Sequence, residues 1–217
     1  MRNVISIAAA RFVRPVGTVA VAMLGWAAAP MQAQSSGATP PPQPRPAARG
    51  IRPLALTSSA FESGGLIPEK HAQAGRDVSP ALAWSGAPDS TRSFVLLVHD
   101  LDAPTADGTD NALHWLVWNI PGSARGLPEG VPSGAQRDGV RQISVSGPYY
   151  RGPAAPASGP VHHYVFELFA LDNMVNVPPT TLSPALTRAE VLKAIGSHVI
   201  GKGVLVGRYR RPAPAER

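Results

Sequence analysis

The chain has 217 residues and no cysteine, with 24 prolines, 21 glycines and a formal net charge of +6. That length suits one domain with appendages, and the lack of cysteine excludes disulfides, thiolate nucleophiles and zinc–thiolate sites. Arg2, Arg11 and Arg14 fall in a leader; without them 17 of the 20 basic residues face 14 acidic ones, a mild excess with no dense Lys/Arg run, so no nucleic-acid partner is expected.

Residues 1–33 read as a secretory leader. Arg2, Arg11 and Arg14 form a basic start, an apolar run follows from Val16 to Ala29, and Pro30-Met31-Gln32-Ala33 ends in small or polar residues. The run is short of the roughly twenty apolar residues of a membrane span, so cleavage is expected after Ala33, with Ala29 as the other position and an uncleaved anchor as the alternative. Without a cysteine the leader is not that of a lipoprotein. Periplasmic or secreted localisation follows as an expectation. Residues 34–50, QSSGATPPPQPRPAARG, are Pro-rich and aperiodic and are expected to form a disordered linker. The domain is placed at 51–211, with a frayed tail at 212–217.

Within it, frequent Gly and Pro favour many short elements. Leu54–Leu56 and Ala81–Trp84 are short strand candidates. Ser93–His99 is a continuous apolar run, as expected of a buried strand. Leu113–Asn119 is a second such run, ended by Ile120-Pro121-Gly122; His163–Leu171 is a third and Gly203–Tyr209 a last. Thr187-Arg188-Ala189-Glu190 has the form of a capping box, and Leu192, Ile195 and Val199 continue it at helical spacing. Strands do not alternate regularly with helices, so the prediction is a mostly β fold, chiefly antiparallel, with one or two helices.

Three segments carry chemistry. His99-Asp100-Leu101-Asp102-Ala103-Pro104 follows a buried strand directly; its carboxylates can orient an imidazole or meet a cation, or they cap a turn at Ala103-Pro104. His114 is the polar exception in an apolar strand, either a binding group or a satisfied core histidine. The Gly/Pro-rich stretch from Gly147 to Pro160 feeds into Val161-His162-His163-Tyr164, and a rigid loop of this kind can turn backbone N–H groups toward an anion. His162 and Tyr164, two residues apart, share one strand face. No Gly-x-Ser-x-Gly, Walker, His-Glu-x-x-His or dinucleotide signature occurs. Asp100, Asp102, His114, His162 and His163 match no metal-site template, so neither metal nor cofactor is expected.

Taken together, Asp-x-Asp-Ala-Pro, His-Trp-x-x-x-Asn-Ile-Pro and a Gly/Pro loop ending in His-x-Tyr resemble the phosphatidylethanolamine-binding family, in its bacterial Raf-kinase-inhibitor-like branch. Ser79-Pro80-Ala81-Leu82-Ala83-Trp84 and Leu205-Val206-Gly207-Arg208-Tyr209 extend the resemblance over about residues 53–210. It implies a large central antiparallel sheet, a smaller flanking sheet, a few short helices and a small cavity for phosphate-like or carboxylate-like anions. Asp100, Pro104, His114, His162 and Tyr164 match lining positions; Tyr150 and Ala154-Ala155-Pro156 match the loop that closes over the anion; Asp102 and Trp84 match supporting positions. His114, His162 and Tyr164 are then expected to donate to the ligand, with Asp100 orienting a histidine or meeting an ammonium. Leu101, His163 and Ala154-Ala155 depart from the family's usual Pro, Arg and Gly-Pro. The implied function is binding without catalysis of phosphate, phosphoethanolamine or a carboxylate. The alternatives are regulation of a partner such as a protease or kinase, and a hydrolase built on Asp100 and the histidines.

Overall fold

The computed structural model describes residues 50–105, 108, 110–134, 139–178 and 183–213. The expected leader, all of the expected linker but Gly50, and residues 214–217 of the expected tail lie outside the described residues.

In chain order the strands are β1 (Arg52–Pro53), β2 (Ala55–Ser58), β3 (Leu82–Ser85), β4 (Ser93–Thr105), β5 (Asp110–Pro121), β6 (Gly126–Leu127), β7 (Arg141–Ile143), β8 (His162–Leu171) and β9 (Val199–Tyr209), with one 3₁₀ turn at Glu69–His71 and one helix, α1 (Pro184–Ile195). Six strands form a large sheet in the order β1-β9-β8-β4-β5-β7, and β2-β3-β6 form a smaller one. The expected fold class holds. The large sheet is mixed in one detail, because β1 runs parallel to β9, with Arg52 opposite Gly201.

The continuous apolar run of β4 has a simple cause: both faces of the sheet are covered. Phe94, Leu96 and Val98 pack in one cluster with Leu56, Leu82 and Trp84 of the smaller sheet. Val95 and Leu97 face the other way, toward Val191 and Ile195 of α1. Each such buried side chain stabilises the fold by roughly 1.5–3 kcal/mol. Trp84 serves this core, its ring tilted against that of Phe94 with centroids 5.3 Å apart and its Nε1 donating to Ala124 O; it supports the packing of the two sheets and does not reach the cavity described below.

Two local expectations are corrected. The helix begins at Pro184, three residues before Thr187, with Ser183 as its N-cap. Thr187 is buried inside the helix and its hydroxyl turns back to Ser183 O, so the capping-box reading fails. A proline at the first helical position, whose missing N–H costs nothing there, was the better marker. Nor does the chain turn at Ala103-Pro104: β4 continues to Thr105 through an irregularity that leaves Leu101, Asp102 and Ala103 unpaired between Asp100↔Ala112 and Pro104↔Asn111.

Candidate functional site

Two breaks in the β4–β5 ladder aim the side chains that matter. Val98 pairs with Trp115 and His99 with Leu113, so His114 is the extra residue of a β-bulge. A bulge turns consecutive side chains out of strict alternation; here it lets His114 leave the apolar pattern of its neighbours. Asp100 continues the face of Phe94, Leu96 and Val98 and lies directly opposite Tyr164 on β8. Past Asp100 the Asp102 N–H donates to Asp100 Oδ1 at 2.9 Å, closing the local turn that bulges the strand. The two carboxylates are thereby separated. Asp100 faces inward, while Asp102 accepts from the His163 N–H at 2.6 Å and pairs with its Nδ1 at 2.9 Å. The His163 backbone N–H, followed by its imidazole, holds the Asp102 carboxyl below the usual carboxylate range. His163, a departure from the family pattern, has thus found a partner on the outer side of the sheet.

Asp100, His114, His162 and Tyr164 converge on one cavity of ≈ 350 Å³, which Gln73, Ala103, Ala112, Val145 and the loop residues Ala154, Ala155 and Pro156 complete. Asp100 is buried and held at both oxygens: Oδ2 lies 2.8 Å from His162 Nδ1, and Oδ1 holds the Asp102 N–H. Its expected role of orienting a histidine therefore falls to His162. The His114 ring stands edge-on to Tyr164 at 5.0 Å and that of His162 is stacked on it at 6.5 Å. His114 Nδ1 lies 2.7 Å from Arg151 O. Burial depresses the His114 pKa below its ordinary value, against the opposing pull of the Arg151 carbonyl and the Asp100 charge.

The loop is held from two sides. Arg151 N–H donates to His114 O at 3.0 Å while its carbonyl accepts from the His114 ring. Asp77 accepts from the Gly152 N–H at 2.6 Å and from Arg151 Nη1 at 3.0 Å, and Gln73 Nε2 donates to Gly152 O. Gly152 is required by close approach: a Cβ there would meet His71 O at 2.1 Å. Ala154 and Ala155, by contrast, adopt no positive φ, so replacing Gly-Pro by Ala-Ala costs no backbone strain, and the cavity stays open beneath them.

Two expectations about roles do not survive this geometry. Tyr150 is buried away from the cavity, edge-on to Trp115, with its hydroxyl donating to His71 O at 3.0 Å; it belongs to a neighbouring cavity of ≈ 280 Å³ with Asp77 and Ser79. Pro104 is exposed and pairs with Asn111 beyond the bulge, leaving Ala103 as the lining residue. Tyr164 is tied to the loop. Its oxygen accepts from the N–H groups of Ala154 and Ala155, both at 3.2 Å; burial first, then the Asp100 charge, raise its pKa well above that of an ordinary phenol. The same bonds withdraw those two loop N–H groups from any ligand. Gln73 and Asp77 were missed because nothing in their local sequence distinguishes them from turn residues; only the positive φ of Asp77 (55°), invisible in sequence, sets it apart. Among the described residues no group of three His, Cys, Asp or Glu side chains is arranged to hold a metal ion.

Comparison with known proteins agrees with this architecture. The family model for phosphatidylethanolamine-binding protein matches residues 57–210. A UPF0098 protein of Methanothermobacter thermautotrophicus is 39% identical over 159 residues, covering 72% of this chain and 98% of the relative. The UPF0098 protein YbhB of Escherichia coli is 39% identical over 127 residues, covering 55% and 78%. Among solved structures, a putative phosphatidylethanolamine-binding protein homologue from Chlamydia trachomatis superposes with a TM-score of 0.61 at 31% identity, covering 73% of this chain and 97% of that one. Escherichia coli YbcL, described as a member of the same family, gives 0.60 at 27% identity, covering 73% and 98%. With its two-sheet fold, its bulged β4–β5 ladder and this match across the whole described domain, the chain belongs to the phosphatidylethanolamine-binding protein family.

Proposed function

We propose that this protein binds a small oxyanion, such as phosphate, phosphoethanolamine or a carboxylate, in the cavity between Asp100, His114, His162 and the 154–156 loop, and does not turn it over. The observation that carries the reading is the convergence of two imidazoles from different strands on one cavity, each backed by a fixed hydrogen-bond partner. At ≈ 350 Å³ the cavity lies at the small end of ligand pockets, the scale of a head group without its acyl chains. Binding without catalysis is supported by the state of the obvious base: both Asp100 oxygens already hold a hydrogen-bond partner, and no Ser, Thr or Lys is among the lining residues. Export through the leader at residues 1–33 is part of the same proposal.

Calorimetric titration of phosphate and phosphoethanolamine into wild type and His114→Ala tests it. Binding by wild type and its loss in the variant is the expected result; equal affinity in both sinks the site assignment. Turnover of a phosphate- or carboxylate-ester panel that depends on Asp100 would overturn the non-catalytic part. A protein partner is the second reading, favoured by Leu101, 50% exposed between the lining residues Asp100 and Ala103, and Val145, 54% exposed on the cavity wall; Leu101→Asp should abolish capture of such a partner while leaving phosphate affinity intact.

A further inference from the structure

The segment before β4 contributes one side chain to the cavity wall, that of Gln73. It is anchored twice to the loop opposite. Its backbone N–H donates to Pro153 O at 3.0 Å, and its Nε2 donates to Gly152 O at 2.8 Å. The second bond fixes the orientation of the carboxamide, because a turned amide would bring Oε1 against a carbonyl that only accepts. The neighbouring carbonyl, Arg151 O, holds His114 Nδ1 at 2.7 Å. Two consecutive carbonyls of one loop thus hold two lining side chains, His114 from β5 and Gln73 from the turn at 73–76. This anchoring does not exhaust the amide. An NH₂ group carries two protons; Gly152 O takes one, and the other has no partner among the described residues. Nor does the loop depend on Gln73 alone, since Asp77 accepts the Gly152 N–H at 2.6 Å and the Arg151 guanidinium at 3.0 Å.

Four lining side chains can donate a hydrogen bond: Gln73, His114, His162 and Tyr164. What an imidazole offers changes with its tautomer and its charge, and the Tyr164 oxygen is already engaged by the Ala154 and Ala155 N–H groups. The carboxamide donates in every protonation state of the site and from a set position. We infer that Gln73 contacts the ligand and sets its affinity, giving the second amide proton to an oxygen of the bound oxyanion. The inference deepens the proposed function and rests on it. The bond is charge-assisted from the ligand's side. Because Gln73 is held by Gly152 O and Pro153 O before any ligand arrives, little rotamer freedom is lost on binding. The ligand class that gains is the one with an anionic oxygen; an ammonium group has no lone pair to receive the proton, so the contact reads the phosphate or carboxylate end of a ligand and not its amine.

The test reads the side-chain NH₂ resonances of Gln73 in wild type while inorganic phosphate, and separately phosphoethanolamine, is titrated in. The proton held by Gly152 O should stay where it is, and its geminal partner should move downfield with either ligand. Gln73→Met keeps an unbranched side chain of similar length without the donor. Calorimetry should then show phosphate and phosphoethanolamine binding weakened alike, by about 10- to 100-fold, the loss of one hydrogen bond to a charged group. The Ala154 and Ala155 N–H resonances of the unliganded variant should match wild type, which separates a lost ligand contact from a loosened loop. A geminal proton that stays still while wild type binds phosphate overturns the inference, whatever the affinity of the variant, and leaves anion binding standing. A shift in wild type without any loss of affinity in Gln73→Met overturns the energetic role. Binding of neither ligand by wild type removes the proposed function itself and the inference with it.

Discussion

Replacing Asp100 by asparagine reverses one of the two imidazoles. The substitution keeps shape and volume but puts an NH₂ group on one side of the amide. Asn Oδ1 can still take the Asp102 N–H, now 2.9 Å from Asp100 Oδ1, which leaves Nδ2 facing His162 Nδ1 across the 2.8 Å contact. Two donors cannot share that distance, so the His162 ring must shift its proton to Nε2 and accept at Nδ1. The cavity then gains a neutral donor where it had a lone pair. The cost is the loss of charge from a buried group with two bonds, one of them to a side chain. Exchanging charge-assisted for neutral bonds costs about 2 kcal/mol in total, which in a domain of this size lowers Tm by about 4–8 °C. Two assays read the effect. The ¹⁵N shifts of the His162 ring should report the Nε2–H tautomer in Asp100→Asn and the Nδ1–H tautomer in wild type. Sulfate affinity at about pH 8 should rise relative to phosphate. An unchanged tautomer together with an unchanged phosphate-to-sulfate ratio would refute the claim that Asp100 sets the polarity of the site, however large the loss of stability.

Other consequences concern the scaffold. The Glu167 carboxyl is held down to about 2 by the His99 imidazole first and then by Lys202, whose Nζ is 2.6 Å from Oε1. A folded pKa below the unfolded one gives stability that is full above the ordinary carboxylate value and is lost as pH falls toward the folded value. The acid arm of the stability curve between about pH 4.5 and 2 should therefore flatten by on the order of 2 kcal/mol in Glu167→Gln, read by urea unfolding. Gly152→Ala drives a Cβ into His71 O; overpacking of this kind costs about 1–3 kcal/mol, and because the same residue anchors the loop to Asp77, phosphate affinity should fall with Tm in parallel. At α1, Ser183→Ala should cost about 0.5 kcal/mol, the low end for an N-cap, since the Ser183 Oγ–Leu186 N distance is a long 3.4 Å. Glu190→Ala, severe in a capping box, should be neutral here, because Glu190 is exposed in the body of the helix.

Much of the fold was legible because burial leaves a direct trace. Ser93–His99, Leu113–Asn119 and His163–Leu171 read as strands since a strand covered on both faces must be apolar throughout. The strands β1, β6 and β7 were not legible: at two or three residues each, they are too short for a period to register. The parallel pairing of β1 with β9 is likewise set by tertiary packing alone. At the site, motif order placed Asp100, His114, His162 and Tyr164 correctly around one cavity, while local periodicity did not. His114 looked like an interruption of an apolar strand because its bulge breaks the alternation on which such readings depend, and Pro104 was misplaced because three residues before it leave the ladder. Tyr150 followed the loop in sequence but was claimed by the core, where its ring has Trp115 to pack on and its hydroxyl has a carbonyl to satisfy it.

What the residue pattern could not convey was sign. Two histidines and a tyrosine around a cavity suggest three donors, and a carboxylate beside them suggests a helper. The polarity of an imidazole, however, is decided on its far side: with a carbonyl or carboxylate behind Nδ1, the ring turns a lone pair forward; with an N–H behind it, the ring turns a proton forward. Arg151 and Asp100 both lie behind, 37 and 62 residues away in the chain from the rings they control. A tyrosine is decided the same way, and the Tyr164 oxygen is occupied because two loop amides reach it first. A family member with the same lining side chains but an amide or hydroxyl donor in place of the Arg151 carbonyl would present the opposite face to its ligand. Ligand preference can thus change across the family while every lining residue stays the same, and the residues to compare between relatives are those one layer behind the cavity.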